Sequence, residues 1–477
     1  MTSSSMAATP PSLIRPHMPP WVAVLIACVS SFMVVMDGAI VNVALPAIQA
    51  DLHLSAIELQ WVVDAYLLAL GGFMLLAARA SDLFGRRPIL MSGLLVFTAA
   101  SLVGGLADSA GLLLAARAVQ GFGASALATS TLAVIVAVHP GGPARARAIS
   151  FWAASSAIAS AFGVVIGGVL TAQANWRWVM FVNVPIGICL IAGVAACLSP
   201  ARRGSERPSL DVPGALTITS GIGALMFGIS QSTTQGWGAT AVWMALCAAA
   251  VLLVLFLTIE TRSARPLIRL DIFAVHNVRM GNVVVLGLGA CLTASTFFIS
   301  IVLQQVLGYG PLDAGLAMLP MGLALAAAAI VSRPLMDGGV RRLPFLGGLA
   351  SAAGLVWMSA VPLDAVFRVH VLGPTLLIGL GLGLMLMTAT HTAIDGVPAK
   401  DAGLASGLFN TARQLGAALG IACLSTLAHF VAEGQLATQG PRLAQLQGCR
   451  AAFLATAALG ALAALTSLTL RRNAEGK

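Results

Sequence analysis

Fourteen apolar runs follow one another along the chain, at about residues 21–46, 57–78, 88–107, 111–136, 148–171, 177–198, 213–232, 240–259, 280–306, 313–333, 343–362, 369–393, 403–429 and 450–470. Charged residues and Pro/Gly clusters punctuate them. A hydrocarbon core about 30 Å thick is crossed by ~20 apolar residues of helix. A helix also satisfies its backbone polar groups within its own segment, as lipid requires. The pattern therefore predicts an all-α polytopic membrane protein of fourteen transmembrane helices. An even number of crossings puts both chain ends on one side.

Composition agrees. Of 477 residues 58% are apolar and 9% charged, against about 25% charged in soluble chains. So few charges cannot wet the surface of a soluble fold of this size, which excludes an ordinary soluble enzyme, a disordered chain and a disulfide-stapled domain. The seven cysteines form no CxxC pair and read as small packing residues. The net charge of +9 sits in short loops between apolar runs, so it reports orientation in a membrane and not a nucleic-acid partner. Of the 26 Lys and Arg, Arg117 and Arg413 fall inside runs, and Arg177, Arg368, Arg442 and Arg450 lie opposite the N-terminus. The other twenty share the N-terminal side, in places such as Arg86/Arg87, Arg202/Arg203 and Arg341/Arg342. That bias predicts a cell-membrane protein with both termini in the cytoplasm. The first run is too long for a signal-peptide core and reads as a retained span.

The chain also repeats itself. Asp82-x-x-x-Arg86-Arg87 after the second run returns as Asp337-x-x-x-Arg341-Arg342 after the tenth, an offset of 255 residues. Gly163-x-x-x-Gly167 in the fifth run returns as Gly416-x-x-x-Gly420 in the thirteenth, an offset of 253. Two signals at nearly one offset predict related six-helix halves, residues 21–198 and 280–470. Residues 199–279 then hold an inserted helix pair with its flanking loops, and 1–20 and 471–477 are cytoplasmic tails. Paired halves enclosing a midplane site are a transporter architecture.

Several stretches resemble the major facilitator superfamily, and within it the fourteen-helix drug:proton antiporters (DHA2-type multidrug exporters). They are Asp37-Gly-Ala-Ile-Val-Asn42-Val-Ala-Leu-Pro46, Asp82-Leu-Phe-Gly85-Arg86-Arg87, Arg117-Ala-Val-Gln120-Gly121-Phe-Gly123, Gly163-Val-Val-Ile-Gly167-Gly168, and Trp176-Arg177-Trp178 followed by Asn183-Val-Pro185-Ile-Gly187. Ala39, Ala78 and Val164 stand where that pattern usually has Thr, Gly and Pro. The resemblance covers nearly the whole chain. It implies the major facilitator fold, a monomer, and export of small lipophilic cations by alternating access, with acids at the positions of Asp37 and Asp64. It further implies that Asp82, Gly85 and Arg86 form a conformational lock between the halves, and that Gly163, Gly167 and Gly168 make a sealing contact.

The residues themselves single out the charges inside the spans. Asp37, Asp64 and Arg117 each cost about 2.5–3.5 kcal/mol at a helix centre on insertion scales. Counted from the far ends of their helices, they lie about 13, 10 and 9 Å deep at 1.5 Å per residue, which predicts one cluster. Burial favours the neutral form of a carboxyl and a nearby arginine favours the charged form. Competition among proton, arginine and cationic substrate would couple export to proton entry. On that reading Asp37→Asn folds but no longer exports cations; a static Asp–Arg pair that only holds helices together is the alternative. In the second half, Asn410, Arg413 and Gln414 make a polar site with no acid firmly within the spans, which favours monovalent substrates.

Other patterns carry no chemistry. His391-x-x-x-Asp395 ends an apolar run with no companion motif. Gly379-x-Gly381-x-Gly383 follows no strand, and no GxxxxGK[ST] occurs. Neither catalysis, metal, cofactor nor ATP is expected, so the proton gradient is the energy source. A proton-coupled metabolite symporter and a non-transporting membrane sensor are the competing readings, because fold alone does not fix direction or activity.

Overall fold

The computed structural model describes residues 18–139, 142–199, 211–263, 266–268, 270–337, 342–394 and 402–470, without the side chains of certain helical residues, Asp82, Asp337 and His391 among them. The described helices order into fourteen rods. They are α1 Pro20–Leu52, α2 Ala56–Phe84, α3 Arg86–Gly105, α4 Ala110–Val138, α5 Gly142–Gln173 and α6 Arg177–Cys197, the last broken by a turn at Val182. Next come α7 Val212–Gln235 and α8 Thr240–Arg262. Then follow α9 His276–Val306, α10 Pro311–Asp337, α11 Leu343–Ser359, α12 Leu372–Ile394, α13 Ala402–Gln439 and α14 Pro441–Ser467. Among the described residues, twelve helices are long and apolar enough to cross a membrane; the apolar stretches in α5 (Ile158–Gln173) and α11 are shorter.

Local chemistry sets the ends. Ser55 and Glu58 form a reciprocal capping box that starts α2. Between α2 and α3, Gly85 adopts φ 94°, ψ 153°, a backbone region in which a Cβ is strained. At the opposite end of the bundle from the termini, hereafter the distal end, Asp51 ties three loops together. Its Oδ2 accepts from Arg177 Nη1 at 2.6 Å and from Trp176 Nε1 at 2.9 Å, while Arg177 Nη2 donates to the Ala107 carbonyl at 3.1 Å.

Glycines set the closest helix pairs, as small residues do in lipid. A Cβ at Gly163 would lie 2.8 Å from Ala39 Cβ, and one at Gly167 2.7 Å from the Ile40 carbonyl oxygen, so both belong to the α5–α1 contact. Their repeat mates Gly416 and Gly420 press on Leu286 and Ala290, the equivalent α13–α9 contact. The repeat read from sequence is thus a repeat of helix packing.

The α7–α8 pair lies at the periphery, where Met244 and Val251 of α8 are about two-thirds exposed. Its inner member α7 packs against both α2 and α13. Along α2 it runs antiparallel: Gln60 meets Ser230, Leu68 meets Gly223 and Gly72 meets Thr219. Helix α7 therefore covers the seam at which α2 and α13, one from each half, lie against each other; there a Cβ at Gly71 would fall 2.8 Å from Gln414 Cβ.

The distal ends of α1 and α9 are joined by neutral groups. Ser300 Oγ donates to the Asn42 carbonyl at 2.9 Å, Gln304 Nε2 to the Val43 carbonyl at 3.0 Å, and Gln305 Nε2 to Gln49 Oε1 at 3.0 Å. Gln445 of α14 adds a bond to Gln305 Oε1. Residues Val302–Val306 form a π-helical turn. Its tighter angular step per residue lets the consecutive Gln304 and Gln305 both reach α1, and such turns recur at functional positions in helices.

Candidate functional site

Arg117, two turns into α4, is held by three groups at once. Its Nη1 donates to Asp37 Oδ2 at 2.6 Å and to Gln120 Oε1 at 2.7 Å, and its Nε donates to the Val62 carbonyl at 3.0 Å. The other Asp37 oxygen accepts from Gln120 Nε2 and Asn183 Nδ2, both at 2.8 Å. Gln120 Nε2 also reaches Ser101 Oγ at 2.8 Å. The guanidinium carbon lies 4.2 Å from the centre of the Tyr66 ring, within reach of a cation–π contact. Arg117 and Asp37 are 1% and 0% exposed. Desolvating two such charges costs several kcal/mol each, which their attraction offsets only when the remaining donors and acceptors are also matched. Here the carboxylate is matched, meeting three donors from α4 and α6, while Asn183 Oδ1 is left without a partner among the described residues.

Asp64 stands apart from that network, correcting the three-charge cluster predicted from depth. Val62 and Tyr66, which face Arg117, are four residues apart and so share a face of α2. At ~100° per residue Asp64 lies roughly 200° round from each. Asp64 shares the level of the pair but not its side of the helix. Asp64 is wholly buried. Its Oδ2 accepts from Gln60 Nε2 at 2.8 Å, and the same nitrogen donates to Ser230 Oγ of α7 at 3.0 Å. Its Oδ1 has no hydrogen-bond partner, and no basic side chain pairs with Asp64, among the described residues.

The remaining predicted residues divide. Gly163 and Gly167 pack within the first half, whereas Gly168 bridges the halves: a Cβ there would lie 2.6 Å from the Pro311 carbonyl oxygen, and one at Gly315 of α10 would strike the Val164 carbonyl. Gly85 forms the α2–α3 turn beside a partly exposed Arg86, while the Asp82 side chain lies outside the described residues. In α13, Gln414 is buried against α2, Arg413 is partly buried without an ion pair among the described residues, and Asn410 is exposed. The sequence reading assigned no role to Gln60, Tyr66, Ser101, Gln120 or Asn183. Spacing pointed to two of them, since Gln60/Asp64 and Arg117/Gln120 are i,i+4 and i,i+3 neighbours.

Known proteins share the fold and the family of this chain. The model of the Major Facilitator Superfamily matches residues 27–421. The cephamycin export protein CmcT of Amycolatopsis lactamdurans is 39% identical over 85% of this chain and 84% of its own. The puromycin resistance protein pur8 of Streptomyces alboniger is 37% identical over 88% and 84%. Among solved structures, the inward-open xylose transporter XylE of E. coli superposes with a TM-score of 0.63 at 14% identity, covering 96% of this chain and 98% of that one; this likeness concerns the fold. The chain is a multi-pass membrane protein of the Major Facilitator Superfamily, a transporter and not an enzyme.

Proposed function

We propose that this transporter exports small lipophilic cations, antibiotics or other drugs among them, in exchange for protons, as a fourteen-span member of the drug:proton antiporter branch. The observation that carries the reading is Asp64, a wholly buried carboxyl with one oxygen unpartnered and no basic partner among the described residues. A charge placed so costs several kcal/mol unless something neutralises it. A proton and a cationic substrate can each do so, and occupancy by one disfavours the other. Asp37 and Arg117 form a fixed polar core on the other side of α2. Export and resistance relatives such as CmcT and pur8 support an outward direction. The two halves, 21–198 and 280–470, rock about the enclosed site, with the lock at Asp82, Gly85 and Arg86 on the cytoplasmic side.

In everted vesicles, dye accumulation should stop when the proton gradient is collapsed by an uncoupler and persist when ATP is depleted at a maintained gradient. Accumulation that survives the uncoupler would overturn proton coupling. Orientation has its own test, in a background with the native cysteines replaced. A cysteine at Gly238 should react with an impermeant maleimide on intact cells, and one at Ser263 only after permeabilisation. The reverse pattern would exclude cytoplasmic termini with fourteen crossings.

A further inference from the structure

At the distal end, a groove of about 530 Å³ opens between α2, α4 and α7, lined by Ser55, Ile57, Glu58, Trp61, Leu114, Phe227 and Gln231. It is large enough for a drug-sized ligand. Its walls are apolar and aromatic, with a single carboxylate, that of Glu58. Only Oε2 of that carboxylate serves the capping box, accepting from Ser55 N at 2.9 Å and Ser55 Oγ at 2.8 Å. Trp61 stands one turn beyond Glu58 on α2. Phe227 and Gln231 flank Ser230 on α7, the residue bonded to Gln60 and through it linked to Asp64. The groove thus lies one helical turn along α2 from the buried carboxyl, between the first half and the inserted helix α7.

The second half carries an equivalent opening. The offset of 255 that relates Asp82 to Asp337 also relates Glu58 to Asp313, and Asp313 lines a groove of about 460 Å³ with Tyr309, Leu316 and Phe367. An acid-bearing groove therefore occurs at the equivalent place in both halves of this chain. What distinguishes the first half is the wall contributed by the inserted helix α7.

We propose that the first-half groove is a binding site for a lipophilic monovalent cation, with Glu58 as counter-ion and Trp61 and Phe227 as aromatic walls. Its chemistry selects that class. A carboxylate attracts the charge, aromatic faces attract organic cations, and the apolar lining desolvates the rest of the ligand. Two carboxylates would suit a dication; this groove offers one. The inserted pair then has a task beyond bracing the bundle, since α7 completes a station from which an exported cation leaves or into which one re-enters. The ligand class rests on the export reading above.

The test is equilibrium binding of radiolabelled tetraphenylphosphonium to the purified full-length protein. Glu58→Gln keeps the capping box, because Gln also serves at that position, and removes the charge. It should raise Kd by about fivefold, as should Phe227→Ala, while Asp313→Asn leaves Kd unchanged. Affinity for neutral triphenylphosphine oxide should fall in Phe227→Ala and hold in Glu58→Gln. A photoreactive phosphonium should label residues 227–231. A Kd unmoved by Glu58→Gln, an equal loss in Asp313→Asn, or no binding by the unmodified protein would each overturn the site. The export reading is judged separately by vesicle transport: proton-driven cation export with a Glu58-independent Kd removes the groove and leaves export standing.

Discussion

Asp37→Asn should lower folding stability by about 3–5 kcal/mol, the usual cost of leaving one member of a buried ion pair behind. Three donors converge on the Asp37 carboxylate from Arg117, Gln120 and Asn183. An asparagine offers one oxygen and one NH2 in its place, so at least one donor meets a donor and the Arg117 charge loses its counter-ion. The sequence-level expectation of a folded, transport-dead Asp37→Asn gives way to a folding defect that affects every substrate alike. Adding Arg117→Gln removes the orphaned charge and should recover part of the loss. Thermal unfolding and monodisperse yield in detergent measure this for both single variants and the double. Additive losses, or a single variant as stable as the parent, would show that the pair does not act as a unit.

Asp64→Asn should behave in the opposite way. The Gln60 amide still finds an oxygen to donate to, and no cation is stranded, so folding stability should hold. Driven export of cations should fall to background, because the position can no longer exchange a proton for a substrate charge. Downhill exchange of a neutral compound should survive, since it needs no charge at this position. Uphill export at parental rate by a well-folded Asp64→Asn would remove this carboxyl from the coupling mechanism. The two acids, alike in depth, are thus separable by one pair of assays: Asp37 by stability and Asp64 by coupling.

That separation shows which parts of the molecule could be read from residues alone. Apolar runs and loop charges located every helix, although α13 (Ala402–Gln439) runs well past the predicted end at 429 and α14 (Pro441–Ser467) starts well before the predicted 450. The paired Gly-x-x-x-Gly spacings marked α5 and α13 as close-packing helices without naming their partners, because each is a property of one helix at a time. Depth along a helix is likewise local, which is why Asp37, Asp64 and Arg117 were placed at one level. Which way a side chain faces within an all-apolar helix is not local. With little polar contrast around the rod, periodicity gives no azimuth, and Asp64 was grouped with a cluster it faces away from. Ser230 was invisible for the same reason: a single hydroxyl in an apolar span becomes informative only once α7 is known to lie along α2. The Asp82 lock could be neither placed nor refused, since its side chain lies outside the described residues.

The amide seam between α1 and α9 has a consequence for energy conversion. Gln49, Gln304, Gln305, Ser300 and the Asn42 and Val43 carbonyls do not titrate near neutral pH, so acidifying the distal side does not by itself loosen that seam. Nor does ionic strength, which weakens exposed charge pairs, weaken amide–carbonyl bonds in the same way. The seam itself carries no formal charge, unlike the Asp51–Arg177 pair at the same end. On the proton-exchange reading proposed above, a proton reaching the distal end gains leverage over this seam only after travelling inward to an acid, which guards against a leak in which the ion opens the door without carrying a passenger.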